Sequence, residues 1–292
     1  MTAFEDKEKQ AIKAWNQALE TPISIALDLP EPDETDSGLE STANDFKTLA
    51  DTLQVLAPEL VISLKTSELP RPAFSITDNI RFSAYPIRKE LDPFLSALSQ
   101  TQSSKVELAE PVRAGLDRLD IPVHLKLYIA LFCPHCPVMV NTLVPMALYC
   151  RHIHLEIIDG SLFEDAAKKD RILSAPCLIL DNDFRWTGAV SAEEITEIIN
   201  DRDPSLMGME TLKNIMEQGD ASWIAQQMMS QNKLFDAFID LLCHPTWSVR
   251  LGAMVIIEEL TESSPALALQ LCPVLIEIFD TQDVPVQGDL LY

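Results

Sequence analysis

"LKLYIALFCPHCPVM", residues 125–139, decides the fold. An apolar run with strand character leads into Cys133 and Cys136, separated by Pro134 and His135, and a helix-like pattern follows. A metal clamp, a structural disulfide and a working redox pair compete for the two cysteines. A strand that feeds C-x-x-C into a helix N-terminus has a chemical purpose. The unpaired backbone N–H groups and the positive end of the helix dipole favour thiolate at the first cysteine. That makes Cys133 the nucleophile. Cys136, one turn further in, is placed to attack a mixed disulfide and release the client. Pro134 is expected in the first helical turn, where its missing N–H removes no bond.

Composition narrows the alternatives. With 292 residues the chain is long enough for two or three domains, and 47% hydrophobic content with 8 Gly and 19 Pro reads as globular. A net charge of −23 argues against nucleic acid as a partner, because a phosphate-binding surface needs clustered Lys and Arg. The acidic N-terminus lacks the basic and apolar regions of a signal peptide. No apolar run approaches the length of a membrane span. The expected location is the cytoplasm, where six cysteines do not make a disulfide scaffold and C-x-x-C is more often catalytic or metal-binding. A zinc site would bring a second C-x-x-C or a His pair at ligand spacing. Cys150, Cys177, Cys243 and Cys272 instead stand singly, Cys150, Cys243 and Cys272 as small hydrophobes in helical patterns. His152 and His154 read as a polar pair on one strand face. No metal is expected.

Upstream, residues 1–20 pattern as an amphipathic helix, 22–29 as a strand, and 41–57 as a helix with Ser41 as its N-cap. Three short strands and the helix "PIRKELDPFLSAL" follow. After the polar "SQTQSSK", a related order returns: strand into Cys133, helix, strand, helix, two strands, and the helix "SAEEITEIIN". This is the element order of a thioredoxin-like α/β sandwich, and the first half looks like a copy without cysteines. In "ILSAPCLIL", Pro176 stands where that fold places a cis-proline. Ala175 beside it would offer backbone to an extended client segment. The client-binding candidates are therefore Pro134, His135, Ala175 and Pro176. From residue 204 the pattern is helical only. "HPTWSVRLGAMVIIEEL" resembles the second helix of a HEAT repeat, with Val249-Arg250 recurring as Val286-Gln287. "PALALQLCPVLIEIFD" reads as one helix. The apolar pattern at Leu291 and Tyr292 suggests a chain cut short or an end that packs on something else. The expected fold class is α/β, two fused thioredoxin-like folds (1–104 and 105–203) followed by an all-α HEAT-like region (204–292).

The stretch "FCPHCPVMVNTLVPMALYCRHIHLEIIDGSLFEDAAKKDRILSAPCLIL" resembles the N-terminal domain of the alkyl hydroperoxide reductase flavoprotein subunit and the archaeal protein disulfide oxidoreductases. Both carry two fused thioredoxin folds. The matching points are C-x-x-C-P, "IDG", and the proline before the third strand; Pro72 takes the corresponding place in the first half. The resemblance implies that Glu90, on the closing helix of the first fold, reaches the C-x-x-C of the second and accepts a proton from Cys136 or Cys133. Without the resemblance, Glu90 would read as an exposed helix glutamate. Pro-His is also the dipeptide of a strongly oxidising periplasmic thiol oxidase, but a nearby carboxylate opposes that effect. Cys177 beside Pro176 is a third thiol near the site or a buried strand residue, and the second fits better. Pro145 should kink the helix.

The glycines, at 38, 115, 160, 188, 208, 219, 252 and 288, form no GxGxxG fingerprint, so no flavin or nicotinamide cofactor is expected. Electrons would arrive from a flavoprotein reductase in trans and leave for client protein disulfides, a peroxiredoxin among them. The reading is a thioredoxin/glutaredoxin-like protein disulfide oxidoreductase. Its alternative is a HEAT-like scaffold with a redox-sensing thioredoxin-like module, in which Trp247 and Arg250 shape a groove or pack between helices.

Overall fold

The structure, a computed structural model, describes residues 4–31, 37–67, 69–103, 105–181, 184–201, 204–217 and 219–291. The chain forms two compact units, Met1–Asn200 and Asp201–Tyr292.

In the first unit the alternating run at residues 22–29 forms β1 (Ile23–Pro30), with Ile25 and Leu27 buried. It follows α1 (Asp6–Gln17) and leads to α2 (Ser37–Leu56). β2 (Leu60–Ser67) returns parallel to β1, while β3 (Ala73–Thr77) and β4 (Ile80–Ser83) complete the half antiparallel. A 3-10 turn, Arg88–Glu90, enters α3 (Leu91–Gln100). Phe46, Phe74, Phe82, Tyr85 and Phe94 form one aromatic core, with ring centroids 5.1 to 5.5 Å apart. Ser41 lies inside α2, so it is no N-cap: the helix begins four residues earlier.

The second half repeats the order. α4 (Glu110–Leu116), for which the sequence shows no clear pattern, precedes β5 (Val123–Ile129), α5 (Cys136–Tyr149) and β6 (Ile153–Asp159). α6 (Glu164–Lys169), β7 (Cys177–Leu180), β8 (Phe184–Thr187) and α7 (Ala192–Asn200) follow. The eight strands of the described residues lie in one sheet, ordered β2-β1-β3-β4-β6-β5-β7-β8, so each half has the strand that comes first in its sequence in the same place. The seam is the parallel ladder of β4 on β6, from Ile80 opposite Leu155 to Ser83 opposite Ile158. Asn79 fastens it. Its Nδ2 donates to the carbonyls of Ala147 and Ile153, both at 2.8 Å, and its own carbonyl accepts from Leu155 N at 2.8 Å. The thioredoxin-like α/β architecture is thus present with a mixed sheet.

α4 closes on α7 at Gly115. A methyl group there would collide with Thr196 Cγ2, and Thr196 is fixed by donating from Oγ1 to Ala192 O at 2.7 Å. Gly115→Ala should destabilise the α/β unit by about 1–3 kcal/mol through overpacking. A lowered urea midpoint checks this; an unchanged midpoint would show that Thr196 turns aside freely.

The second unit is helical: α8 (Met209–Glu217), α9 (Ala221–Gln231), α10 (Asp236–Leu242), α11 (Trp247–Ser263), α12 (Pro265–Ala268), α13 (Leu271–Phe279) and α14 (Val284–Leu290). Ile224, Met228, Phe235, Phe238, Ala253 and Ile256 are among its buried core. The single helix expected over "PALALQLCPVLIEIFD" is two. Pro273 has no N–H to give the carbonyl of Leu269, and its ring would clash there, so the helix restarts at Leu271. Among the described residues no helix is long and apolar enough to cross a membrane.

Candidate functional site

β5 stops at Ile129, and the chain turns with Cys133 N donating to Ala130 O at 2.8 Å. Pro134 and His135 follow, both exposed, and His135 stands at the N-cap position of α5 without a side-chain capping bond. The helix therefore starts at Cys136 rather than at Pro134. Pro134 lies outside the first turn, and Pro137 is the proline within it, where its missing N–H removes no bond. Cys133 is half-buried just ahead of that N-terminus, and Cys136 is buried as its first residue. Pro145 lies inside α5, which continues past it to Tyr149.

The Ala175–Pro176 peptide is cis, alone among the described residues. It brings Ala175 O to 3.4 Å from Cys133 Sγ, which donates to it. Pro176 is buried and its carbonyl accepts from Gly188 N at 2.8 Å, while Ala175 is half-buried at the surface. Three apolar side chains near these residues in sequence stand in solvent. Phe132 is 70% exposed, Leu173 is 97% exposed, and Val138 on the first turns of α5 is exposed as well. The Arg88 guanidinium lies 5.0 Å from the Phe132 ring centroid.

Glu90 is not the exposed helix residue that its sequence context alone suggests. It ends the 3-10 turn ahead of α3 and is 0% exposed, and neither carboxyl oxygen has a hydrogen-bond partner among the described residues. The preceding turn is pinned from another element. Arg88 has a left-handed φ of 54°, and its N–H donates to the Glu8 carboxylate of α1. Burial, and then the charge of Asp159, push the Glu90 carboxyl up to about 7. The Cys136 thiol is also pushed up, first by burial, then by its hydrogen bond with Cys133, with Glu90 adding to the effect. Asp159, at the end of β6, is raised by burial, and its Oδ1 accepts from Ser161 N at 2.8 Å and Leu162 N at 3.3 Å. Ser83 sits on the β4 side of the seam, fully buried, its hydroxyl without a hydrogen-bond partner among the described residues. The elements thus bring two thiols and a protonatable carboxyl together, with the carboxyl supplied by the 3-10 turn of the other half of the α/β unit.

Sequence patterning assigns no role to Asp159, Arg88, Phe132 or Leu173. Asp159 carries a signal in "IDG"; an apolar Phe132 in a turn beside C-x-x-C is a second. Cys177 is a buried strand residue in a cluster with Tyr128, Ile158 and Ile179, and burial pushes its thiol up. Cys272 is exposed rather than a packed hydrophobe, while Cys150 is buried and Cys243 half-buried. His152 precedes β6; His154 stacks instead on His124, ring centroids 4.9 Å apart, at the end of the strands away from Cys133. Trp247 is exposed, so it does not pack between helices. Arg250 is buried, donating to Asp289 Oδ2 at 2.6 Å and to the carbonyls of His244 and Pro245. No group of three or more His, Cys, Asp or Glu side chains among the described residues could hold a metal ion.

Residues 123–200 match the thioredoxin domain family model. The alkyl hydroperoxide reductase flavoprotein of Pseudomonas aeruginosa is 27% identical over 192 residues, covering 64% of this chain and 35% of that protein. An NADH dehydrogenase of Bacillus subtilis is 25% identical over 193 residues, covering 64% and 36%. The matched region spans about a third of the length of these relatives. Among solved structures, the N-terminal domain of alkyl hydroperoxide reductase from Enterococcus faecalis superposes with a TM-score of 0.57 at 18% identity, covering 68% of this chain and 100% of that one. A protein disulfide oxidoreductase from Aeropyrum pernix gives 0.58 at 15% identity, covering 68% and 94%. The chain is a thioredoxin-like protein that resembles the N-terminal domain of the alkyl hydroperoxide reductase flavoprotein.

Proposed function

We propose that this thioredoxin-like chain is a cytoplasmic protein dithiol–disulfide oxidoreductase, an electron relay or disulfide reductase that uses Cys133 and Cys136. The observation that carries the reading is the Cys133 thiol 3.4 Å from Ala175 O at the cis-proline, with Cys136 buried behind it and Glu90 close enough to raise its pKa. The α/β unit is two fused thioredoxin-like folds, 1–104 without C-x-x-C and 105–203 with it. The shared strand order of the halves supports this. Residues 204–292 are HEAT-like, a reading supported by successive short helices with a buried Arg250.

An extended client segment pairs with the backbone at Ala175 and lays its side chains on Phe132, Pro134, His135 and Leu173. The Cys133 thiolate attacks one sulfur of the client disulfide, forming a mixed disulfide and releasing one client thiolate. Cys136 then attacks Cys133 Sγ, its proton passes to the Glu90 carboxylate, and the second client sulfur leaves as a thiolate. The client gains two electrons, and Cys133 and Cys136 are left as a disulfide. Because burial raises the Cys136 thiol above its ordinary value, it attacks as the protonated thiol and needs a proton acceptor such as Glu90 beside it. A flavoprotein reductase in trans restores the dithiol. Peroxiredoxin disulfides are one client class, as the resemblance suggests.

The test is equilibration in glutathione or dithiothreitol buffers with alkylated thiols counted by mass. A reversible two-electron disulfide confined to Cys133 and Cys136 is expected. Burial and the Glu90 carboxylate both disfavour thiolate at Cys136, so the potential should lie at the reducing end, roughly −270 mV. A value of roughly −120 mV would make the protein an oxidase instead. Failure to form the disulfide would leave the scaffold reading.

A further inference from the structure

The helical unit carries a groove that the redox chemistry does not use. It has a volume of about 790 Å³ and opens between α11 and the α12–α14 segment. Its floor is apolar: Met254 and Ile257 from α11 face Leu271 and Leu275 from α13. Leu269, on its wall, is 66% exposed. α13 is apolar at seven of its nine positions, "LCPVLIEIF", yet Leu271 is its only buried residue. The charge around this floor has one sign. Glu258 and Glu262 stand on α11 at the same helical spacing as Met254, so the apolar stripe and the carboxylates share one side of that helix. The one cation in the lining, Arg250, is buried and committed to Asp289 and to two carbonyls. After Arg250 the sequence holds no lysine, arginine or histidine through residue 292.

We infer that this groove docks an amphipathic helix of a partner protein, one with an apolar stripe flanked by lysines or arginines. The floor is in the size range of sites that take several side chains, and a helix laid in a groove anchors through residues at i, i+3 or i+4, and i+7. Free carboxylates on the rim select basic flanks and repel acidic ones. The same sign opposes the other occupants. A second copy of the chain would bring an equally acidic rim against this one, and a phosphate-bearing surface would be repelled. Docking here is independent of the disulfide chemistry.

The experiment titrates the full chain into a fluorescent synthetic helix carrying leucines at helical spacing flanked by lysines. Two controls are a scramble of the same composition and a version with glutamate for every lysine. The striped basic helix should bind at least about tenfold more tightly than either control and weaken as salt rises. Glu258→Lys with Glu262→Lys should lose about tenfold, whereas Asp51→Lys with Glu59→Lys, on the other unit, should change nothing. Leu269→Asp alters an exposed side chain and should weaken binding without unfolding the unit. Bound helix should also slow maleimide labelling of Cys272, which lines the groove and is exposed, but not of Cys133. Equal binding of the scramble would reduce the effect to general attraction to a chain of net charge −23 and overturn the inference. So would an unprotected Cys272, or protection of Cys272 by concentration-dependent self-association without any peptide.

Discussion

Replacing Cys136 by serine should leave the protein stalled as a covalent adduct with its client, and replacing Cys133 should leave no adduct at all. The two thiols are unequal by construction. Cys133 is half-buried in the turn ahead of α5, while Cys136 is buried and its thiol is raised by that burial. A client disulfide can therefore reach Cys133 first. In Cys136→Ser the mixed disulfide forms, but the hydroxyl cannot resolve it. In Cys133→Ser the accessible nucleophile is gone. Turnover of an insulin or peroxiredoxin disulfide should fall by about three orders of magnitude or more in both, with a client-sized mass addition in the first variant only. The reverse pattern, an adduct on Cys136 when Cys133 is removed, would exchange the assigned roles. Undiminished turnover in both would end the relay reading.

The second large effect is a dependence of stability on pH that belongs to one side chain. Burial, and then the charge of Asp159, raise the Glu90 pKa from 4.5 to about 7, so the folded protein keeps the proton on this carboxyl until near neutral pH. Below the unfolded value both states carry the proton, and Glu90 has no pH-dependent effect. Between the two values the unfolded chain has released it and the folded chain has not, so stability falls as pH rises. Above about 7 the full penalty applies, about 3 kcal/mol for a shift of this size. Glu90→Gln removes that dependence. The difference between its urea-unfolding free energy and that of the wild type should therefore grow in the variant's favour from pH 4.5 to pH 8. A constant difference would mean that the carboxyl finds a partner in solution. The variant should also resolve mixed disulfides about 10²-fold more slowly. It should also lack the rise in resolution rate through pH 7 that is expected of the wild type as Glu90 ionises.

Much of this site is local in sequence, and that part is legible. A strand ending in C-x-x-C, the helix after it, and a proline ahead of the next strand each depend on a few neighbouring residues. The helix start is ambiguous by two residues or more because Pro134 and Pro137 offer the same local signal; only the turn closed by Cys133 N on Ala130 O distinguishes them. Glu90 belongs to the other kind of information. Its own neighbours, Arg88, Lys89 and Asp92, mark a solvated surface, and its burial follows from α3 packing on α5 and β4 pairing with β6 across about 70 residues of chain. Only the family resemblance points to it. α4 escapes notice because seven residues hold too few periods to register. Ser41 reads as a cap although Ser37, Gly38 and Leu39 are already helical, a limit of reading caps without the backbone.

The ladder between β4 and β6 has a consequence for where this protein can be divided. The thioredoxin family match begins at residue 123, as though the catalytic module started there. Physically no boundary exists at that point. A fragment that began near it would open a row of backbone donors and acceptors along β6, the sort of edge that recruits other chains. It would also part Cys136 from the buried Glu90 carboxyl that raises its pKa. The half without cysteines is thus the structural partner of the half that has them: it seals the edge of β6 and places the buried Glu90 carboxyl beside Cys136. A fold that carries no thiol of its own can still complete the surroundings of a neighbour's thiols.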